Sequence, residues 1–299
     1  MPRLETRPAI SIGMPVYNVE PFVASAVTSL LDQSFSDFEL IISDNASTDA
    51  TLEICQRLAS NDERIRILRQ DRNVGVTVNY ATVAQQARAP LFKWATGSDL
   101  VHRDFLKACV AVLNKRPDCV LCFPQTQLFQ DCVEKGTTYK ENLDLQMDDP
   151  AERFRALILG LRLANILNGL VRRHALAKAG FMPDFMRADV LVLAKLSLSG
   201  KFVEIPEPMF FRRMDTSTAS VLHTRDEVRR RYYPTSKPFS AWRLHAGLLS
   251  ALYQEKMTMH QRLRAAEIIL KHAYWNRREF LLDIREAAQA KIGLTRSST

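Results

Sequence analysis

Four short polar clusters carry side chains able to grip or activate a ligand. They are Pro15-Val16-Tyr17-Asn18, Asp44-Asn45-Ala46-Ser47-Thr48-Asp49, Arg72-Asn73-Val74-Gly75 and Gly97-Ser98-Asp99. A carboxylate such as Asp44, directly after a buried strand and a few residues before Asp49, suits hydrogen bonding to the N–H and hydroxyl groups of a base or ribose. Each cluster also has a plain structural reading, because Asn, Asp, Ser and Gly make turns and cap helices. Asp49 reads in that way as the cap of a helix beginning near Thr51. The informative feature is the order of the clusters, each at the end of a short apolar run.

Those runs predict the elements that position the clusters. Ile10–Met14, Leu40–Ser43, Ile65–Leu68, Leu91–Ala95 and Val120–Phe123 read as strands. Phe22–Leu31, Thr51–Ala59, Val76–Ala87 and Phe105–Leu113 read as helices between them. Near-continuous apolar strands alternating with helices predict an α/β fold, with a mainly parallel sheet covered on both faces. In such sheets ligands bind beyond the carboxyl ends of the strands, where these clusters lie. Residues 125–150 read as an irregular loop or lid. Helices are expected at Glu152–Leu163, Ala175–Ala179 and Val190–Leu198, and short strands at Phe202–Ile205 and Met209–Arg212. After Pro238 the pattern is helical, with Trp242, Ala246, Leu249 and Tyr253 on one face. Further helices are expected near Arg262–His272 and Glu279–Ala290.

Composition bounds the class. The 299 residues are 46% hydrophobic and 25% charged, enough apolar material for a sizeable core. No apolar run reaches the ~20 residues of a membrane span, and the first residues lack the apolar stretch of a secretory signal. The expected location is the cytoplasm. Five cysteines form no small disulfide framework. Cys119 and Cys122 sit in an apolar run without a second pair and read as buried residues, not zinc ligands.

The net charge of +8 is unevenly placed. Through Thr224 there are 26 basic and 26 acidic residues; from Arg225 to Thr299 there are 15 and 7. This divides the chain at about residue 224. The basic tail has two readings: a solvated face, or contact with an acidic surface such as anionic lipid or a phosphorylated acceptor. No nucleic-acid motif accompanies it, so nucleic acid is not an expected partner.

Taken together, Met-Pro-Val-Tyr-Asn, Ile-Ser-Asp-Asn-Ala-Ser-Thr-Asp, Arg-Asn-Val-Gly and Lys-Trp-Ala-Thr-Gly-Ser-Asp resemble glycosyltransferase family 2. The resemblance covers roughly residues 8–222. It implies the GT-A (Rossmann-like) fold and inverting transfer of a sugar from a nucleotide diphosphate donor, a UDP-sugar first among them. The acceptor would be a hydroxyl of a saccharide, a lipid-linked glycan or another molecule, as in polysaccharide or glycolipid biosynthesis. The implied organisation is a catalytic domain over 1–224, with a nucleotide part (8–124) and an acceptor part (125–224), followed by a basic helical region over 225–299. The amphipathic tail leaves self-pairing into a homodimer open.

The resemblance also implies site residues. Asp189, in Arg187-Ala188-Asp189, matches the acidic motif whose carboxylate is the catalytic base. Pro15, Tyr17, Asn18, Asp44, Asn45, Arg72, Asn73, Gly75 and Ser98 would line the nucleotide. Phe211-Arg212-Arg213 and the Ser/Thr-rich stretch after it match the closing strand and acceptor loop, with Arg212 and Arg213 beside the diphosphate. Lys93 is read as packing its stem at a strand end. Asp99 would hold Mn²⁺ or Mg²⁺. Here the sequence departs from the family, which usually has two acidic residues at this point; Ser98 occupies the other position. One carboxylate, the diphosphate and water would hold the cation more weakly. His223 is a nearby imidazole with a surface reading.

Three rival readings stand beside this one, one of them a basic scaffold acting mainly through its C-terminal helices. A nucleotide-sugar-binding protein with weak or no activity accounts for the reduced acidic motif. A nucleotidyltransferase would need a Gly-rich, basic loop after the first strand, which is absent.

Overall fold

The computed structural model describes residues 7–215, 228–229, 232–234 and 237–296. The N-terminal part alternates strand and helix: β1 (Ile10–Val16), α1 (Glu20–Leu31), β2 (Phe38–Asp44), α2 (Thr51–Ala59), β3 (Ile65–Arg69), α3 (Val76–Gln85) and β4 (Leu91–Trp94). The chain continues through β5 (Leu100–Val101), α4 (Phe105–Lys115), β6 (Cys119–Phe129), β7 (Thr137–Tyr139), α5 (Pro150–Gly160), β8 (Leu170–Arg172), α6 (Arg173–Ala179), α7 (Ala188–Ser199) and β9 (Lys201–Arg213). Three helices follow: α8 (Ser240–Gln254), α9 (Met259–Trp275) and α10 (Arg277–Arg296).

One nine-stranded sheet runs in the order β3-β2-β1-β4-β8-β6-β9-β5, with β7 on β6. The expected parallel arrangement holds for β3-β2-β1-β4. All seven residues of β1 and of β2 are buried, as parallel strands covered on both faces require. Beyond β4 the sheet is mixed. β8 lies antiparallel to both β4 and β6, and β9 is parallel to β6. The two short strands expected at 202–205 and 209–212 are one strand, with bulges where Pro124 and Gln125 face it.

Residues 125–150 are not the irregular lid that was expected. β6 runs on to Phe129, β7 pairs with it, and Leu143 and Leu145 are fully buried. The overlooked signal is Leu143-Asp144-Leu145-Gln146-Met147, an alternation with period two. Phe202 N–H donates to Leu145 O (3.1 Å), which lays this stretch against β9 and away from the strand-end cavity described below. Cys119 and Cys122 are free and buried, as their apolar setting predicts.

The C-terminal helices share the main core. Leu244, Leu248, Ala251 and Leu252 of α8 join Ala265, Ile268 and Ile269 of α9 in the same apolar cluster as Trp94, Phe154 and Phe202. The helical period read from Trp242, Ala246, Leu249 and Tyr253 is correct, but the buried face is the opposite one. Trp242, Leu249 and Tyr253 stand exposed. Packing against α7 selected the leucine face, whose branched chains fit a helix–helix seam. Buried His245 and His272 join α8 to α9 through a 3.0 Å Nε2–Nδ1 contact. Thr258 and Gln261 form a capping box at the start of α9.

Helix α3 packs closely on β1 through Gly13. A Cβ at Gly13 would stand 2.7 Å from Val83 Cγ2 and 2.8 Å from the Phe92 ring. Gly13→Ala should therefore lower unfolding free energy by about 1–3 kcal/mol, read by chemical denaturation. An unchanged midpoint would show that the contact yields freely.

Candidate active site

The sheet order creates a crevice. From β1 the chain steps outward through β2 to β3, then returns to the other side of β1 as β4. Loops leaving β1 and β4 diverge at such a switch point. The β1–β4 pairing ends at Gly13 opposite Trp94, whereas β1–β2 pairing continues to Val16 opposite Asp44. Pro15 lies in the stretch beyond the β4 pairing, where a missing N–H costs no ladder bond on that side. A cavity of about 520 Å³ opens there.

The structure brings Pro15, Tyr17, Asn18, Asn45, Asn73, Ser98, Asp99, Asp189 and Arg212 to the wall of this cavity. Residues from three distant parts of the chain thus converge, although only the first seven follow N-terminal strands. Four of the anticipated residues are not in the wall. Arg72 is exposed beside it. Gly75 supports α3 with φ of 86°, a left-handed backbone suited to glycine. Asp44 is fully buried behind the rim; one carboxylate oxygen accepts from Ser47 N–H at 3.1 Å, and Oδ1 has no hydrogen-bond partner among the described residues. Arg213 is held away, as described below.

The rim is stitched by its own polar groups. Asn18, at φ 48°, donates its N–H to Ser47 Oγ (3.1 Å) and accepts from Thr48 N–H (2.8 Å). Glu20 N–H donates to Asp49 Oδ2 (3.1 Å), while Glu20 Oε2 accepts from Ala50 N–H (3.0 Å). Asp49 also accepts from Thr51 N–H (3.0 Å) at the start of α2; it stands one residue before Ala50, which occupies the cap position itself. Asn45 donates to Asn73 Oδ1 (2.9 Å) and accepts from Val74 N–H (2.9 Å). These bonds hold the first three clusters as one surface.

Asp99 and Asp189 are the two recessed carboxylates of interest. Asp99 accepts from Thr96 Oγ1 (2.6 Å) and from Arg213 N–H (2.9 Å). Burial pushes its carboxyl above the ordinary range, opposed by those two bonds and by Arg212. Burial likewise raises Asp189, opposed by the Val190 N–H, Arg187 and Arg212. Asp189 lies in the first turn of α7, whose N-terminus favours negative charge.

The two arginines of β9 have different tasks. Arg212 lines the cavity and donates to Leu163 O at 2.8 Å. Arg213 instead lies between the Phe22 and Phe129 rings, 4.7 and 4.6 Å from their centres. It donates to Ser98 O (3.1 Å) and Gln130 O (2.9 Å), clamping the turn that carries Ser98 and Asp99. The expectation of a diphosphate contact is replaced by this structural one. Lys93 is fully buried and donates to Trp94 O (3.1 Å) and Asn168 O, over the Phe105 ring. Burial pushes its ammonium down to about 7. His223 and the Ser/Thr-rich stretch from 216 lie outside the described residues.

Several wall residues were not anticipated. Asn79 and Tyr80 follow Val76 on one face of α3, a helical spacing visible in the sequence. Leu163, Ala164, Leu167 and Asn168 come from a loop with no sequence signal. Glu141 holds that loop: its Oε1 accepts from the N–H groups of Arg162, Leu163 and Ala164 at 2.9–3.0 Å. The Oδ1 atoms of Asn79 and Asn168 are buried without hydrogen-bond partners among the described residues. They suit donors supplied by a ligand.

A second cavity of about 560 Å³ shares Ala164 and Asp189 with the first. Arg162, Arg187, His272, Trp275 and Asn276 are among its other wall residues. Arg187 donates to Asn276 Oδ1 at 3.3 Å. Burial, His245 and Arg187 push His272 down to about 4, so it is neutral at pH 7.

No group of three His, Cys, Asp or Glu side chains able to hold a metal exists among the described residues. Asp99 is nevertheless compatible with a hard cation whose remaining ligands are diphosphate oxygens and water, since Mg²⁺ is commonly bound by one or two carboxylates plus phosphates.

A strand-end cavity of this size on a switch-point sheet is the ligand-site arrangement of open α/β folds. Residues 11–153 match the family described as Glycosyl transferase family 2. That segment is just under half of the 299-residue chain, and the fold of the chain is the GT-A fold. It is 37% identical over 94 residues to the uncharacterized glycosyltransferase EpsJ of Bacillus subtilis, covering 31% of this chain and 27% of EpsJ. Alignments span 27–46% of the first three curated relatives. The structure resembles S. aureus TarS 1–349 in complex with UDP, with TM-score 0.65 and 14% identity over 89% of this chain and 72% of that one. It also resembles the mannosyltransferase PcManGT of Pyrobaculum calidifontis in complex with GDP-Man and Mn²⁺, with TM-score 0.54 and 15% identity over 98% and 81% of the two chains.

The raised Asp189 carboxyl sets a pH dependence. Because its folded value exceeds the unfolded one, ionisation costs stability as pH rises through the folded value; below the ordinary carboxylate range no cost remains. Asp189→Asn should melt above the parent near neutral pH, and the difference should vanish in acid. A lower Tm for the variant at neutral pH would contradict this.

Proposed function

We propose that this protein is an inverting glycosyltransferase that moves a sugar from a nucleotide diphosphate-sugar to an acceptor hydroxyl. The observation that carries the reading is the position of Asp189, on a wall common to two cavities. The first holds the nucleotide residues; the second offers a separate approach for an acceptor. A base between them meets the hydroxyl as it attacks the anomeric carbon from the side opposite the leaving group.

In this reading the acceptor oxygen forms a bond to the anomeric carbon, its proton passes to an Asp189 carboxylate oxygen, and the nucleoside diphosphate departs with the electron pair of the broken bond. The raised carboxyl makes Asp189 a better proton acceptor than an exposed aspartate. Arg212 supplies fixed positive charge at the cavity wall as charge develops on the diphosphate. Tyr17, Asn18, Asn45 and Asn73 hold the nucleoside, and Asp44, behind them, braces the rim through the Ser47 N–H. UDP is the first expectation, supported by the UDP complex of TarS. Asp99 would hold Mn²⁺ or Mg²⁺, which when bound neutralises diphosphate charge. Mn²⁺ in the PcManGT complex supports this.

The acceptor is a saccharide, a lipid-linked glycan or another hydroxyl compound. The region 1–224 carries the chemistry and the basic region 225–299 brings the enzyme to an acidic surface at the cytoplasmic face of a membrane. No helix among the described residues is long and apolar enough to cross one.

A thermal-shift panel of UDP-, GDP- and dTDP-sugars tests the reading; a ligand at a hundred times its Kd adds about 2.7 kcal/mol. One nucleotide should stabilise the protein and be slowly hydrolysed as its sugar. Asp189→Asn should keep that shift and lose turnover by about 10²–10⁴-fold. Near-normal turnover would remove Asp189 as the base. In the parent, kcat/KM should rise with pH through a carboxyl above the ordinary range. Binding without any turnover would favour the binding-protein reading suggested by the single acidic residue of Ser98-Asp99.

Asp99→Asn should reduce nucleotide affinity chiefly when Mn²⁺ is present. An equal loss in chelator would take Asp99 out of the metal site.

A further inference from the structure

Among the described residues, the large hydrophobic side chains that stand exposed all lie between Phe239 and Ile284. The catalytic sheet and its helices expose none. Their spacing is regular. At about 100° per residue, Met259, Leu263, Leu270 and Tyr274 fall within roughly 40° of one line along α9. Ala265, Ile268, Ile269 and His272 line the opposite, buried side. α8 repeats the pattern, with Trp242, Leu249 and Tyr253 outward and Leu244, Leu248 and Ala251 inward. Leu281 and Ile284 extend the exposed set into α10. α8 and α9 are thus apolar on two sides: the inner side packs into the core, and the outer side stands largely exposed, with Trp242 edge-on to the Phe280 ring of α10 at 4.9 Å.

The charge around this face decides among partners. Among the described side chains of 237–288, nine are basic and five acidic. Arg262 lies over the Tyr253 ring at 5.5 Å and Arg277 over the Tyr274 ring at 4.6 Å. Exposed Arg278 follows. A second copy of this chain would oppose one basic face to another. An anionic bilayer supplies the opposite charge and accepts apolar and aromatic side chains at its headgroup boundary. Tyr and Trp are the residues suited to that depth.

We infer that α8, α9 and the start of α10 lie flat on an anionic lipid bilayer through this outward stripe. This docking face does not rest on the transferase reading.

The test is co-sedimentation of the full chain with vesicles of phosphatidylcholine alone or mixed with phosphatidylglycerol. Binding should require phosphatidylglycerol and weaken with salt. Leu263→Ser/Leu270→Ser/Tyr274→Ser should reduce it at least tenfold while retaining the parent's circular dichroism. Arg277→Glu/Arg278→Glu, at exposed positions that leave the apolar stripe intact, should reduce it as well. No binding to phosphatidylglycerol vesicles, or full binding by both variants, overturns the proposal. So does a dimer in light scattering that the serine variant dissolves, which would assign the face to a second copy. If vesicle binding holds but no nucleotide-sugar shifts the melting temperature, the docking stands and the transferase reading fails.

Discussion

The site depends on where the pairing of β1 with its two neighbours stops. β2 follows β1 to Val16, but β4 leaves it at Gly13. The uneven ending opens a gap at the end of an otherwise continuous sheet, and the chain directions on either side carry the loops apart. Pro15 suits this place because it supplies no N–H to extend the β4 ladder. Every polar cluster that faces the cavity reaches it from an element anchored in the buried part of the sheet.

Rigidity at the rim comes from groups that would otherwise be unsatisfied. Helix starts leave N–H groups unpaired, and the rim uses Asp49, Thr51 and Glu20 to answer them across two helices. Four buried acceptor atoms, on Asp44, Asn79, Glu141 and Asn168, have no such answer among the described residues. A surface that pairs its structural groups and leaves inward acceptors unpaired is prepared for a ligand rich in donors. Glu141 performs the same service for the loop between the two cavities, with one carboxylate oxygen serving three N–H groups.

The carboxylates show how burial and function are balanced. Asp99 and Asp189 both sit where ionisation is disfavoured, and Arg212 opposes that cost for each. Arg213 acts indirectly, with its charge spread over two aromatic rings and two carbonyls so that its backbone N–H meets Asp99. Adjacent arginines on a strand point to opposite faces, which is why one reaches the cavity and the other braces it.

The sequence by itself determined the β-α order of the first half, because apolar runs and polar turn clusters report local burial directly. It also placed Tyr17, Asn18, Asn45, Asn73, Ser98 and Asp99 at strand ends, since strand ends and switch points follow from that order. Only the tertiary structure decided which face of α8 is buried, because both faces carry apolar residues and the choice belongs to α7. It alone set Asp189 between two cavities and joined Glu141 to a loop some twenty residues away. It also separated Arg212 from Arg213 in role. Those outcomes rest on contacts between distant segments, and local pattern carries no record of which surface a residue will meet.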